Sequence, residues 1–185
     1  PQNDSNDERV RNVIVERNWL KGNAVTQSMI KITSQSLITL RNNLISGGNT
    51  GININDTSTL SPNPDSIYVY NNSFYSLTSS SALFVSCSAG NLIFVKNSLA
   101  YAPNSAVSSN TVSNSACTNV TGANGTFGNS SQTQMRTFSP LYSSSTPSLP
   151  SGFSLTSTSY AIDTGTAVPV FSDFFGNTRT GTYDM

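Results

Sequence analysis

The sequence predicts an all-β chain wound as a solenoid of parallel strands, and three observations carry that prediction. A block recurs as "VIVERNWL" (13–20), "ITLRNNLI" (38–45), "YVYNNSFY" (68–75) and "LIFVKNSL" (92–99). Aligned on Asn18, Asn43, Asn72 and Asn97, the blocks stand 25, 29 and 25 residues apart, a period that belongs to repeat architectures. Inside each block apolar residues alternate at period two, which is the spacing of a strand with one buried face. Between the blocks there is no helical pattern, only a second short strand.

In each block the residues five and three before the aligned asparagine, and two after it, are apolar. They are Val13, Val15 and Leu20; Ile38, Leu40 and Ile45; Ile67, Val69 and Phe74; Leu92, Phe94 and Leu99. These are the expected inward residues. The first block lies in "DERVRNVIVERNWLK", which passes for an amphipathic helix until its β-branched run at 13–15 is weighed. The asparagines fall where each strand should bend, because their side chains bond the local backbone and tolerate the left-handed region. Stacked coils lie about 4.8 Å apart, so Asn18, Asn43, Asn72 and Asn97 are expected to form a ladder of amides. The second strands are "MIKIT" (29–33), "GININ" (51–55), "ALFVS" (82–86) and "AVSSN" (106–110). On the first strands, Ile14, Tyr68, Tyr70, Ile93 and Val95 are expected to face outward, an apolar patch too large to leave wet. The irregular C-terminal tail is expected to pack on it. The whole of 1–185 reads as one domain, with coils over about 10–112 and a ragged last coil, loops and closing tail over 113–185.

Composition narrows the function. Charged residues make up 10% of the chain, nine of each sign, which leaves no basic face for nucleic acid. Ser, Thr and Asn account for 76 residues, but 36% hydrophobic content with regular alternation argues for a packed core. Without histidine there is no Ser-His-Asp or Cys-His catalysis. No apolar run is long enough to span a membrane. Cys87 and Cys117 suit two readings equally, a pair of small buried residues or one secretory disulfide. The chain opens on Pro1 instead of methionine, so it is expected to be a piece of a longer protein with further coils upstream.

The "NVIVERNWLKGN" and "SIYVYNNSFY" blocks resemble repeats of the right-handed parallel β-helix, or pectate-lyase-like, superfamily. So does the ending: "SYAIDTG" followed by "DFFGNTRTGTYDM" is similar to a closing segment of secreted bacterial β-helix proteins, with Tyr160 where that segment usually has proline. The resemblance covers about 10–110 and 153–185. It implies a right-handed β-helix of about 25 residues per coil, secreted or at the cell surface, that acts on or binds polysaccharide. A non-catalytic adhesive or structural scaffold is the alternative, since one fold hosts many functions.

By that resemblance, substrate lies against the second strand of each coil. Its inward residues are Ile30, Ile32, Ile52, Ile54, Leu83, Val85 and Val107. Its outward column is Lys31, Asn53, Phe84 and Ser108, with Thr33, Asn55, Ser86 and Asn110 beside it, a polar face with one lysine and one aromatic. Asn53, Asn55, Phe84, Ser86 and Ser108 are the expected saccharide contacts. The insertion "DTSTLSPNPD" (56–65) would form the lip. The superfamily's lyases remove the proton α to a uronate carboxylate with Lys or Arg as base, and calcium often acidifies that proton. Lys31 is the matching base, and Asp56 and Asp65 the nearest acids for calcium, although two carboxylates are few for an ion that takes six to eight oxygens. No Asp or Glu occurs between residues 66 and 162, so the later coils offer no carboxylate pair for glycoside hydrolysis. Glu16 and Arg41 occupy equivalent positions and are expected to pair. Asp163, Asp173, Arg179 and Asp184 gather in the closing segment, where anchoring of the tail is favoured over a calcium or saccharide site.

Overall fold

The computed structural model describes residues 11–23, 28–33, 36–56, 66–77, 83–87, 92–101, 120–122 and 141–184. The first repeat contributes β1 (Arg11–Glu16), β2 (Trp19–Lys21) and β3 (Ser28–Thr33). The second contributes β4 (Ser36–Arg41), β5 (Leu44–Ser46) and β6 (Thr50–Asp56). The third contributes β7 (Ser66–Tyr70), β8 (Ser73–Tyr75) and β9 (Leu83–Cys87). Then come β10 (Leu92–Lys96), β11 (Leu99–Tyr101) and β12 (Val120–Gly122). The described residues hold no α-helix, only one short 3-10 turn at Pro150–Phe153. The amphipathic-looking stretch at the start is strand, as its β-branched residues require.

All named strands pair in parallel, in three sheets. The first sheet runs β1-β4-β7-β10-β12, the second β2-β5-β8-β11, and the third β3-β6-β9. The chain therefore visits the sheets in turn and rejoins each one strand further along. Inward residues from all three sheets meet in one core: Ile38, Leu40, Ile45, Ile52, Ile54, Ile67, Val69, Phe74, Leu83, Ile93 and Val95 are buried together. Removing this apolar surface from water is the main force holding the sheets to one another.

The register corrects one block. Lys96 pairs with Tyr70, and Leu99 with Ser73, so Asn97 is level with Asn71, and Ser98 with Asn72. The fourth inward set is therefore Ile93, Val95 and Ala100. Phe94, expected inward, instead lies outside against Tyr68, and Leu99 lies outside against Tyr142 and Phe153 of the tail. Ile93 and Val95, expected outward, are core. The cause is one extra residue between equivalent positions, 26 instead of 25, and in a strand a shift of one exchanges the two faces.

The tail covers two outer faces. Tyr142, Phe153 and Ala161 pack on Leu44, Tyr75 and Leu99 of the second sheet. Tyr75 donates its hydroxyl proton to the Ser145 carbonyl at 3.0 Å. Val168 and Val170 bury Tyr70 of the first sheet, with Tyr68, Phe94 and Tyr183 alongside. Burial, with Tyr68 adding to it, pushes the Tyr70 phenol up to about 12. Burial raises the Tyr142 phenol too, opposed in part by the Ser73 hydroxyl.

Candidate functional site

The register of the third sheet brings most of the expected saccharide contacts level with one another. Lys31 is opposite Asn53, and Asn53 opposite Phe84; Thr33 is opposite Asn55, and Asn55 opposite Ser86. Successive members are one strand spacing apart, about 4.8 Å. Lys31 is exposed and Asn53 half-buried, while Ile32, Ile52 and Ile54 on the opposite face belong to the core. The Asn53 carboxamide oxygen is buried without a hydrogen-bond partner among the described residues. Such an atom costs about 1–3 kcal/mol, so Asn53 is a poor choice for stability alone. Asp56 closes β6 and is level with Cys87. Asp65, Ser108, Asn110 and Cys117 lie outside the described residues, as does most of the 56–65 insertion. Among the described residues no three Asp, Glu, Cys or His side chains gather into a group able to hold a metal ion.

At the bend between the first and second sheets, three of the four expected ladder residues are hydrogen-bonded in a row. Asn43 Oδ1 accepts from Asn18 N and Nδ2 at 3.1 and 3.0 Å. Asn72 Oδ1 accepts from Asn43 N and Nδ2 at 3.1 and 2.9 Å. The fourth place is taken by Ser98, whose Oγ accepts from Asn72 N at 3.3 Å. Asn97 is not in this row. Asn43 and Asn72 are fully buried; Asn43 Nδ2 also donates to the Val15 carbonyl, and Asn72 Nδ2 to the carbonyls of Leu40 and Tyr70.

Sequence reasoning missed a second column one residue earlier: Arg17, Asn42, Asn71 and Asn97. All four are left-handed, with φ between 51 and 54°, a region that asparagine tolerates better than most residues. The three asparagines hold the tail. Asn42 Nδ2 donates to the Ser172 carbonyl at 2.7 Å, and Asn71 Nδ2 to the Asp184 carbonyl at 3.0 Å. Asn97 makes a two-way pair with Thr166, through Nδ2 to its carbonyl at 2.7 Å and Oδ1 from its amide at 2.8 Å. The doublets "NN" at 42–43 and 71–72 were the available signal.

The charged groups are used in the same way. Arg41 Nε pairs with Glu16 Oε2, and its Nη1 reaches the Pro169 carbonyl at 3.2 Å. Arg179 donates to Ser172 O and to Asn42 Oδ1. Its burial lowers the guanidinium pKa, against the pull of Asp173 and Asp184. Asp173 accepts twice from Asn177, at 2.8 Å each, and Asp184 Oδ1 accepts the Asp163 amide at 2.9 Å. Gly165 approaches so closely that a Cβ there would stand 2.6 Å from the Tyr183 carbonyl oxygen. No helix among the described residues is long and apolar enough to cross a membrane. No protein-family model, curated protein or solved structure matches the chain.

Proposed function

We propose that the three-sheet stack is a right-handed parallel β-helix of the pectate-lyase-like kind, secreted or displayed at a cell surface, and that its third-sheet face engages polysaccharide. One observation carries the reading: the parallel register that puts Lys31 level with Asn53 and Phe84, and Thr33 level with Asn55 and Ser86, beside an exposed Lys31. Such a row offers a cation for a uronate carboxylate, amides and hydroxyls for sugar hydroxyls, and an aromatic ring for a sugar's apolar face. In a lyase-type reaction Lys31, as the neutral amine, would take the proton α to the carboxylate while the bond from the β carbon to the departing sugar oxygen breaks, that oxygen taking its proton from water.

The experiment is glycan binding by the whole chain, across neutral and uronate-containing oligosaccharides, with thermal unfolding measured in parallel. Phe84→Ala is expected to lower affinity for both classes, and Lys31→Ala for the acidic class only. Asn53→Val is expected to lower affinity while leaving stability unchanged or higher, because it deletes a buried acceptor with no hydrogen-bond partner among the described residues. Release of an unsaturated product that Lys31→Ala abolishes would extend the reading from binding to elimination. Binding to no glycan, or binding indifferent to all three substitutions, would retire the groove.

A second reading, a non-catalytic adhesive or structural scaffold, draws support from where the asparagines make their bonds. Asn42, Asn43, Asn71, Asn72 and Asn97 all bond to the chain itself.

A further inference from the structure

We infer that the open edge formed by β1, β2 and β3 is a docking surface for one further coil of parallel strands with this chain's own repeat. The inference rests on the β-helix reading. Each of the three strands ends its sheet among the described residues. Of their inward residues Ile32 is buried, but Val13, Val15, Leu20 and Ile30 are only partly so. One repeat further in, the equivalents are sealed, with Ile38 at 3% exposure and Leu40, Ile45 and Ile52 at 0%. Ile14, at the rim, is 56% exposed.

The hydrogen bonds along the row give this edge a direction. Each carboxamide oxygen accepts from the backbone and side-chain amides of the repeat before it. Asn18 donates to Asn43 but its own Oδ1 accepts from nothing among the described residues. The edge therefore calls for donors, and the repeat-to-repeat contact already built three times along the row specifies their form. An Asn, or a residue like Ser98, belongs above Asn18, with apolar side chains above Val13, Val15 and Leu20.

Charge selects between occupants. Lys21 and Lys31 stand exposed on β2 and β3. Two copies of the chain meeting edge to edge would crowd these cations together, and lysine on a sheet edge is a common guard against such pairing. A coil with neutral or acidic residues above them meets no such cost.

The test appends a coil to the full chain. A second copy of residues 11–35 is inserted between residues 10 and 11; in the copy Glu16→Arg lies over Glu16, and Lys21→Ser and Lys31→Asn, the residue types of the next repeat, keep neutral side chains over the two lysines. Hydrogen exchange and thermal unfolding are then compared with those of the original chain. Amides of β1 to β3 are expected to slow by about tenfold or more, with a higher unfolding temperature. Asn18→Leu in the copy should undo part of the gain. Unchanged exchange in β1 to β3 would overturn the inference. So would an original chain that dimerises and protects these strands as concentration rises, since the edge would then belong to a second copy. Loss of the β-helix reading itself looks different: β4, β5 and β7 would exchange fast in the original chain.

Discussion

Asn71 and Asn72 are adjacent, both buried, and hold different parts of the molecule. Asn72 ties repeat to repeat, accepting from Asn43 and donating to the Leu40 and Tyr70 carbonyls. Asn71 turns the chain at φ 51° and reaches outward to the Asp184 carbonyl. The same division separates Asn43 from Asn42, and Ser98 from Asn97. One amide column fixes the stacking of repeats, and its neighbour fixes the tail. Asparagine serves both because its side chain both donates and accepts, and because its backbone tolerates the left-handed bend. The outer column reads tail backbone more than tail side chains: its partners are the carbonyls of Ser172, Asp184 and Thr166.

Breaking the inner column should do the most damage. Asn72→Leu strands the Asn43 amide protons and the Leu40 carbonyl in the interior, and a loss of ~1–3 kcal/mol is expected in denaturant unfolding. In the outer column, Asn71→Gly keeps the positive φ and removes one bond to the tail. A loss of about 1 kcal/mol is expected, with faster proteolysis of the tail. Arg17 holds the left-handed place in the first repeat without asparagine's tolerance. Arg17→Asn should therefore gain about 0.5 kcal/mol, a fraction of the left-handed cost for ordinary residues. The smallest effect near neutrality is the buried phenol of Tyr70. With its folded pKa raised to about 12, its contribution is complete below the unfolded value, near 10, and is lost as pH rises through the folded value. Unfolding temperatures followed from neutral to alkaline pH should fall less steeply in Tyr70→Phe than in the original chain.

The strand repeats were legible because alternation at period two survives even where loops vary in length. Lys31, Asn53 and Phe84 could be aligned from sequence for that reason, and the register agrees. The fourth repeat was misaligned because "VKNSL" offers one asparagine where the second and third repeats offer two. Which of two adjacent positions a lone asparagine fills depends on a hydroxyl, that of Ser98, doing an amide's work. The outer column was hidden for another reason. Its partners lie 69 to 130 residues away, and carbonyl oxygens leave no mark on sequence. The orphaned Asn53 oxygen was likewise beyond pattern, since it depends on what covers it.

The most direct test compares native-state hydrogen exchange in Asn72→Leu and Asn71→Gly, residue by residue. The two-column account predicts that Asn71→Gly speeds exchange within 163–184 and leaves β4, β5, β7 and β8 protected. Asn72→Leu should speed exchange in those strands. If the two variants gave the same exchange profile, the columns would not be separate devices, and the account would be contradicted.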